Sequence, residues 1–180
     1  MRPWTLRERV LSFADRPWIE VYTDRVELPD GRVRDRFHRV VLPEFSITVP
    51  VTADGRFVMV REYKHGPSAV CLNAPAGGLA DGEEPLAAAK RELLEETGYA
   101  ADDWRSLGSF VIDGSTGCGR GYVFLARQAR RVAAPTPDDF EEIDVVLLDE
   151  PALRAALAGG GITMMPTACA VGLALIALHG

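Results

Sequence analysis

One segment constrains this chain more than any other. From position 85 the sequence reads Pro85-Leu86-Ala87-Ala88-Ala89-Lys90-Arg91-Glu92-Leu93-Leu94-Glu95-Glu96-Thr97-Gly98. Proline suits a first helical position, where its missing N–H costs nothing, and glycine suits the position just past a helix end. The spacing predicts a helix over Pro85–Thr97. At about 100° per residue, with Glu92 at zero, Glu96 falls near 40° and Glu95 near −60°. Leu86, Ala89, Leu93 and Leu94 fall between about 60° and 200°. The expectation is one apolar, buried side and an opposite side carrying three carboxylates. Like charges that close repel, so the acidic side is either a solvated stripe or a face beneath other structure that needs a cation. Oxygen-only ligands are what Mg2+ or Mn2+ selects.

Short alternating runs precede the helix. Trp18–Tyr22, Val26–Leu28 and Phe37–Val41 read as strands, with Pro29-Asp30-Gly31 as a turn. Ser46–Val51 and Phe57–Glu62, joined through Ala53-Asp54-Gly55, read as a hairpin, and Cys71–Ala74 as a further strand. After the helix, Leu107–Ile112, Tyr122–Gln128 and Ile143–Leu148 read as strands. Two helices, about Pro151–Ala158 and Pro166–Ala177, close the segment on either side of Gly159-Gly160-Gly161. Strands, a helix, strands and then helices predict an α/β or α+β chain with a mixed sheet between helices.

Charge narrows the classes of ligand. Against 26 Asp+Glu stand 20 Lys+Arg, a net charge of −6. That balance argues against a protein that holds nucleic acid by neutralising phosphates, and against an anionic membrane surface. An anionic small molecule would need local positive charge, which a divalent cation supplies. Cys71, Cys118 and Cys169 are odd in number and form no Cys-x-x-Cys pair. The expectation is therefore no disulfide framework, no zinc site and a cytoplasmic location. The mixed-charge start, Met1–Arg9, has no apolar run after it, so no signal peptide is expected. Ala168–Leu178 is apolar but too short to span a bilayer, and reads as a buried or dimer-packed helix.

Upstream of the helix lies Ala74-Pro75-Ala76-Gly77-Gly78-Leu79-Ala80-Asp81-Gly82-Glu83. Taken together, the string is Gly77, five residues, Glu83, seven residues, Arg91-Glu92-Leu93, one residue, Glu95-Glu96, one residue, Gly98-Tyr99. It resembles the Nudix box without a gap in spacing, and average residue usage puts a chance match below roughly 10⁻⁸ per start position. Tyr99 stands where the family usually has an aliphatic residue. The likeness extends to the ADP-ribose and nucleotide-sugar pyrophosphatase branch. It is carried by about 45 residues before the core strands, by Val60-Arg61-Glu62-Tyr63-Lys64-His65, by Ala74–Gly78, and by Gly161-Ile162-Thr163 ahead of an apolar helix.

The resemblance implies a Nudix-like α/β/α sandwich with a mixed sheet, covering residues 46–180. It also implies an N-terminal antiparallel sheet, residues 1–45, that forms a homodimer. The implied activity is metal-dependent hydrolysis of a nucleoside diphosphate linked to a sugar, ADP-ribose or a relative of it. Alternatives are a dinucleoside polyphosphate or nucleoside triphosphate hydrolase, or a catalytically weak regulatory domain. Glu92, Glu95, Glu96 and the Ala76 carbonyl would be metal ligands, with Mg2+ or Mn2+ as the cofactor. Arg91 would pair with Glu95 or Glu83. Arg61, Lys64, Gly77, Gly78 and Arg120 would meet substrate. Glu141 or Glu142 would supply the base, with Asp139 behind them; equally, Pro137–Glu142 reads as a solvated acidic turn. The loop Asp113–Gly121 lacks the proline and glutamate usual in the branch. It reads either as an anion-binding glycine loop or as a plain hairpin loop.

Overall fold

A computed structural model describes residues 1–136 and 142–180. Its elements are β1 (Thr5–Asp15), β2 (Ile19–Glu27), β3 (Val33–Val41), β4 (Phe45–Thr52), β5 (Phe57–Lys64), β6 (Ala69–Asn73), β7 (Ala76–Gly78), α1 (Pro85–Thr97), β8 (Tyr99–Ala100), β9 (Asp103–Asp113), β10 (Cys118–Arg131), β11 (Ile143–Leu148), α2 (Glu150–Ala158) and α3 (Met165–His179). They fall into two compact units, Met1–Glu44 with Val111–Arg120, and Phe45–Phe110 with Gly121–Gly180.

The first unit is built on an antiparallel sheet, β1-β2-β3. β1 went unread in the sequence, and the expected strands at Trp18–Tyr22 and Val26–Leu28 are parts of one strand, β2. Asp24 made that strand look interrupted. It is 4% exposed, and Arg9 neutralises it across the sheet through contacts of 2.6 and 2.8 Å. The Asp113–Gly121 loop is shorter than expected, because β9 runs to Asp113 and β10 starts at Cys118. Asp113 closes the turn by accepting from the Ser115 N–H and the Thr116 hydroxyl.

The second unit is a mixed sheet in the order β11-β5-β4-β10-β8, with β6 on β5, β7 on β4 and β9 on β10. β10 runs parallel to β4, while the pairs β10–β8, β11–β5, β4–β5, β4–β7 and β5–β6 are antiparallel. Side chains alternate along a strand, so one strand serves two cores. Ile47, Val49, Val51, Phe57, Met59 and Leu125 pack with Leu153 of α2 and Val171, Ala174 and Leu175 of α3. Val58 and Ala126 face the other way and pack with Leu93 of α1. Helices thus cover both faces of the sheet, an α/β/α sandwich.

Helix α1 has the predicted bounds. It ends at Gly98, whose φ of 71° is left-handed and whose N–H bonds the Leu94 carbonyl at 2.8 Å. A Cβ on Gly98 would also stand 2.3 Å from the Ala133 carbonyl oxygen. The buried face of the helix differs from the sequence expectation. Ala88, Ala89, Leu93, Glu96 and Thr97 are buried, while Leu86 and Leu94 are 37% and 40% exposed. The helix therefore turns part of its acidic side inward, toward β4 and β7.

Candidate active site

β4 and β5 are neighbours only through the pair Val51↔Phe57 at the hairpin end. Beyond it they separate: β5 continues alongside β6, and β4 pairs instead with the three-residue strand β7. β7 carries Ala76, Gly77 and Gly78, and α1 packs against both β4 and β7. The parting of the two strands opens the sheet beside the acidic side of α1.

Arg91 organises that side. Its Nε and Nη2 donate to the two oxygens of Glu83, both at 3.0 Å, and Nη2 also reaches the Gly78 carbonyl at 3.0 Å. Its Nη1 donates to Glu92 Oε1 at 2.6 Å and to Glu95 Oε2 at 3.0 Å. The sequence offered Glu95 or Glu83 as the partner of Arg91; the guanidinium takes both, and Glu92 as well. A planar fork of fixed donors can serve several carboxylates at once, which an ammonium cannot. Glu83 also accepts the Ala80 N–H at 2.9 Å. The Arg91 bonds first, then this N–H, hold its carboxyl down at about 2. The same contacts, Glu83 foremost, push the Arg91 guanidinium above its ordinary range.

Glu96 is 2% exposed and accepts the Ala76 N–H at 3.1 Å. Glu92 lies against Gly77 so closely that a Cβ there would fall 2.0 Å from its carboxyl carbon. Glycine is what lets the carboxylate rest on the backbone. The loop and helix thus bring Ala76, Gly77, Gly78, Glu83, Arg91, Glu92, Glu95 and Glu96 into one constellation. Its donors are all oxygen, the chemistry of a hard divalent ion. Among the described residues, no three His, Cys, Asp or Glu side chains converge as a ready cage. Glu92 and Glu95 turn to Arg91 and Glu96 to Ala76, so a cation would have to draw Glu92 and Glu95 off the guanidinium.

The opening between β4 and β5 is a cleft of about 140 Å³, lined by Phe45, Ile47, Glu62, Lys64, Asn73 and Thr167 among others, and reaching Ala76. Lys64 pairs with Glu62 at 2.6 Å. Asn73 Nδ2 donates to Glu62 at 3.0 Å, and the Thr167 hydroxyl donates to Asn73 Oδ1 at 3.2 Å. Sequence reasoning missed Glu62, Asn73 and Thr167. The available signal was a charged residue, Glu62, continuing the apolar run of β5.

Arg61 is exposed on β5, opposite Asp144 of β11. Arg120 belongs to the first unit, where it lines a hollow of about 320 Å³ with Arg39 and Glu44, its Nε 3.7 Å from Glu44. Glu142 is exposed, immediately before β11. Glu141 and Asp139 lie outside the described residues. Cys118 sits half-buried in the first unit, where burial and then Asp113 push its thiol up. No helix of the described residues is long and apolar enough to cross a membrane.

Comparison with known proteins follows the same outline. A family model for the NUDIX domain matches residues 43–167. An ADP-ribose pyrophosphatase of Bacillus subtilis (strain 168) is 32% identical over 135 residues, 73% of this chain and 72% of that protein. A methanol dehydrogenase activator of Bacillus methanolicus is 30% identical over 135 residues, with the same coverage. An ADP-sugar pyrophosphatase of Mus musculus is 47% identical over 45 residues, 25% of this chain and 21% of that protein. A crystal structure described as an ADP compounds hydrolase superposes with a TM-score of 0.86 at 22% identity, covering 100% of this chain and 96% of its own.

Proposed function

The chain belongs to the NUDIX family and is a Nudix hydrolase, and from that premise we propose that it cleaves the pyrophosphate bond of a nucleoside diphosphate sugar, ADP-ribose or a related compound. The products are a nucleoside monophosphate and a sugar phosphate. The observation that carries this reading is the Arg91 hub, which holds Glu83, Glu92 and Glu95 together beside Glu96.

Nudix hydrolases generally need a divalent metal, and our reading is Mg2+ or Mn2+. Glu92, Glu95, Glu96 and the Ala76 carbonyl would hold it; when bound, such an ion offsets phosphate charge and acidifies a bound water. Arg91 and Glu83 keep the carboxylates in register with the loop, which limits the geometry lost between turnovers. Water attacks one phosphorus, the bridging P–O bond breaks, and a carboxylate accepts the water's proton. We assign that proton to Glu141 or Glu142. Lys64 at the cleft, with Arg61 and the Gly77–Gly78 backbone, contacts the substrate. The supporting features are the cationic Lys64 beside Ala76 and the closely approached Gly77.

We also read the protein as a cytoplasmic homodimer joined through residues 1–45. The exposed apolar side chains of β1, Leu6, Val10, Leu11 and Phe13, support that contact.

The test incubates purified protein and Mg2+ with ADP-ribose, ADP-glucose, GDP-mannose, a dinucleoside polyphosphate and nucleoside triphosphates. Release of a nucleoside monophosphate with a sugar phosphate is the expected result. Turnover of the triphosphates or the dinucleoside polyphosphate alone, or tight binding without turnover, overturns it.

A further inference from the structure

Ser46 is fully buried, and its hydroxyl is the one buried side-chain polar atom among the described residues with no hydrogen-bond partner. The strand fixes its direction. Ile47, Val49 and Val51 enter the core beneath α2 and α3, so Ser46 points to the opposite face, the side of α1. Register fixes its neighbour. Ser46 stands directly across from Gly77 in the antiparallel pair β4–β7. Opposed residues carry their Cβ atoms on one face, about 4.5–5.5 Å apart. At Gly77 the place of a Cβ is taken by the Glu92 carboxyl, 2.0 Å from where that Cβ would lie. The Ser46 hydroxyl and the Glu92 carboxylate therefore occupy adjoining positions on the face beneath α1.

We propose that Ser46 is a positioning residue for Glu92: its hydroxyl is the donor that takes up the carboxylate when a divalent cation draws it away from Arg91. The proposal rests on reading Glu92 as a metal ligand. A ligating carboxylate is oriented by a hydrogen bond from a group that does not itself touch the metal. Arg91 serves that purpose poorly, because its positive charge opposes a cation on the same carboxylate. A hydroxyl donates without charge. Alanine at position 46 would leave no polar atom to bury, so an unpartnered hydroxyl there is a standing cost to the fold. A donor used only when the cation is bound accounts for it.

The experiment titrates Mn2+ into the metal-free protein without substrate, following free Mn2+ by its paramagnetic resonance signal. Wild type, Ser46→Ala and Glu92→Gln are compared, and the melting temperature of each metal-free protein is recorded. Ser46→Ala should raise the Mn2+ dissociation constant about 10-fold, the low end for losing such a partner. Its metal-free melting temperature should be unchanged or higher, which a merely structural serine would not give. Unchanged Mn2+ affinity in Ser46→Ala, with affinity lost in Glu92→Gln, overturns the role of Ser46 and leaves the ligand reading standing. Unchanged affinity in Glu92→Gln overturns the ligand reading, and this proposal with it.

Discussion

Arg91 grips Glu83 through two parallel hydrogen bonds, Nε to Oε1 and Nη2 to Oε2, both 3.0 Å long. Glu83 lies before the first turn of α1, so this pair ties the loop to the helix. The same guanidinium spends its Nη1 on Glu92 and Glu95. Arg91→Lys keeps the charge but cannot reproduce the fork. We expect kcat to fall about 10²-fold, the scale of a displacement near 1 Å in a catalytic group, with the circular dichroism spectrum unchanged. A variant with wild-type kcat would show that the fork is dispensable.

The depressed Glu83 carboxyl makes a prediction about acid. Its value lies at about 2 in the folded protein against an ordinary 4.5. A folded-state value below the unfolded one means stability that is complete above 4.5 and lost as pH falls toward 2. Glu83→Gln has no such contribution to lose. The melting-temperature gap between wild type and Glu83→Gln should therefore be widest near neutrality and shrink steadily on acidification. A gap that stays constant across that window contradicts the assignment.

Gly77→Ala places a methyl where the Glu92 carboxyl lies. Glu92 must then leave its seat on β7, taking its Arg91 contact with it. The expected result is a loss of kcat of about 10²-fold and weaker Mn2+ binding in the absence of substrate. The substitution is conservative for folding, since the φ of Gly77 is not left-handed. A fully active Gly77→Ala enzyme would mean that the seat of Glu92 against β7 is not needed for turnover.

The helix bounds and the string from Gly77 to Tyr99 were legible because local chemistry sets them: Pro85 starts α1 and Gly98 stops it. The facing of α1 was not. Periodicity assigned Leu94 to the core and left the acidic side either solvated or beneath other structure, yet Leu94 is 40% exposed and Glu96 2%. The reason is long-range. Ala76, twenty positions earlier, supplies the N–H that satisfies Glu96, and no pattern within the helix announces it. β2 was broken in two by Asp24 for a related reason, since its partner Arg9 sits on a strand whose apolar and charged residues do not alternate cleanly. The cleft was missed because it depends on β4 and β5 parting after a single pair, a property of register.

Glu96→Gln separates charge from shape at the most buried carboxylate of the site. The amide keeps an acceptor for the Ala76 N–H, so the loop-to-helix contact survives and the fold should melt within a few degrees of wild type. What disappears is a negative charge able to face a cation. Activity should fall by orders of magnitude, roughly the 10²–10³ of losing one electrostatic group in a catalytic site. Added chelator should abolish wild-type turnover in parallel. An active Glu96→Gln enzyme would remove Glu96 from the ligand set.

Asn73 offers a test of the cleft that does not depend on the carboxylate cluster. It donates to Glu62 at 3.0 Å and accepts from Thr167 at 3.2 Å, joining β6 to the first turn of α3. Glu62 is 7% exposed and Thr167 2%, so neither can turn fully to water if Asn73 is lost. Asn73→Ala should destabilise the protein by about 1–3 kcal/mol, the cost of leaving such groups short of a partner, read from the urea midpoint at constant slope. Lys64→Ala, at the rim of the same network, takes the cation from the buried Glu62 carboxylate and so also lowers stability. It should in addition raise KM for a nucleoside diphosphate sugar while sparing kcat, since a contact made equally in ground and transition states affects binding alone. The reverse pattern, KM unchanged and kcat reduced, would move Lys64 from substrate binding to the chemical step.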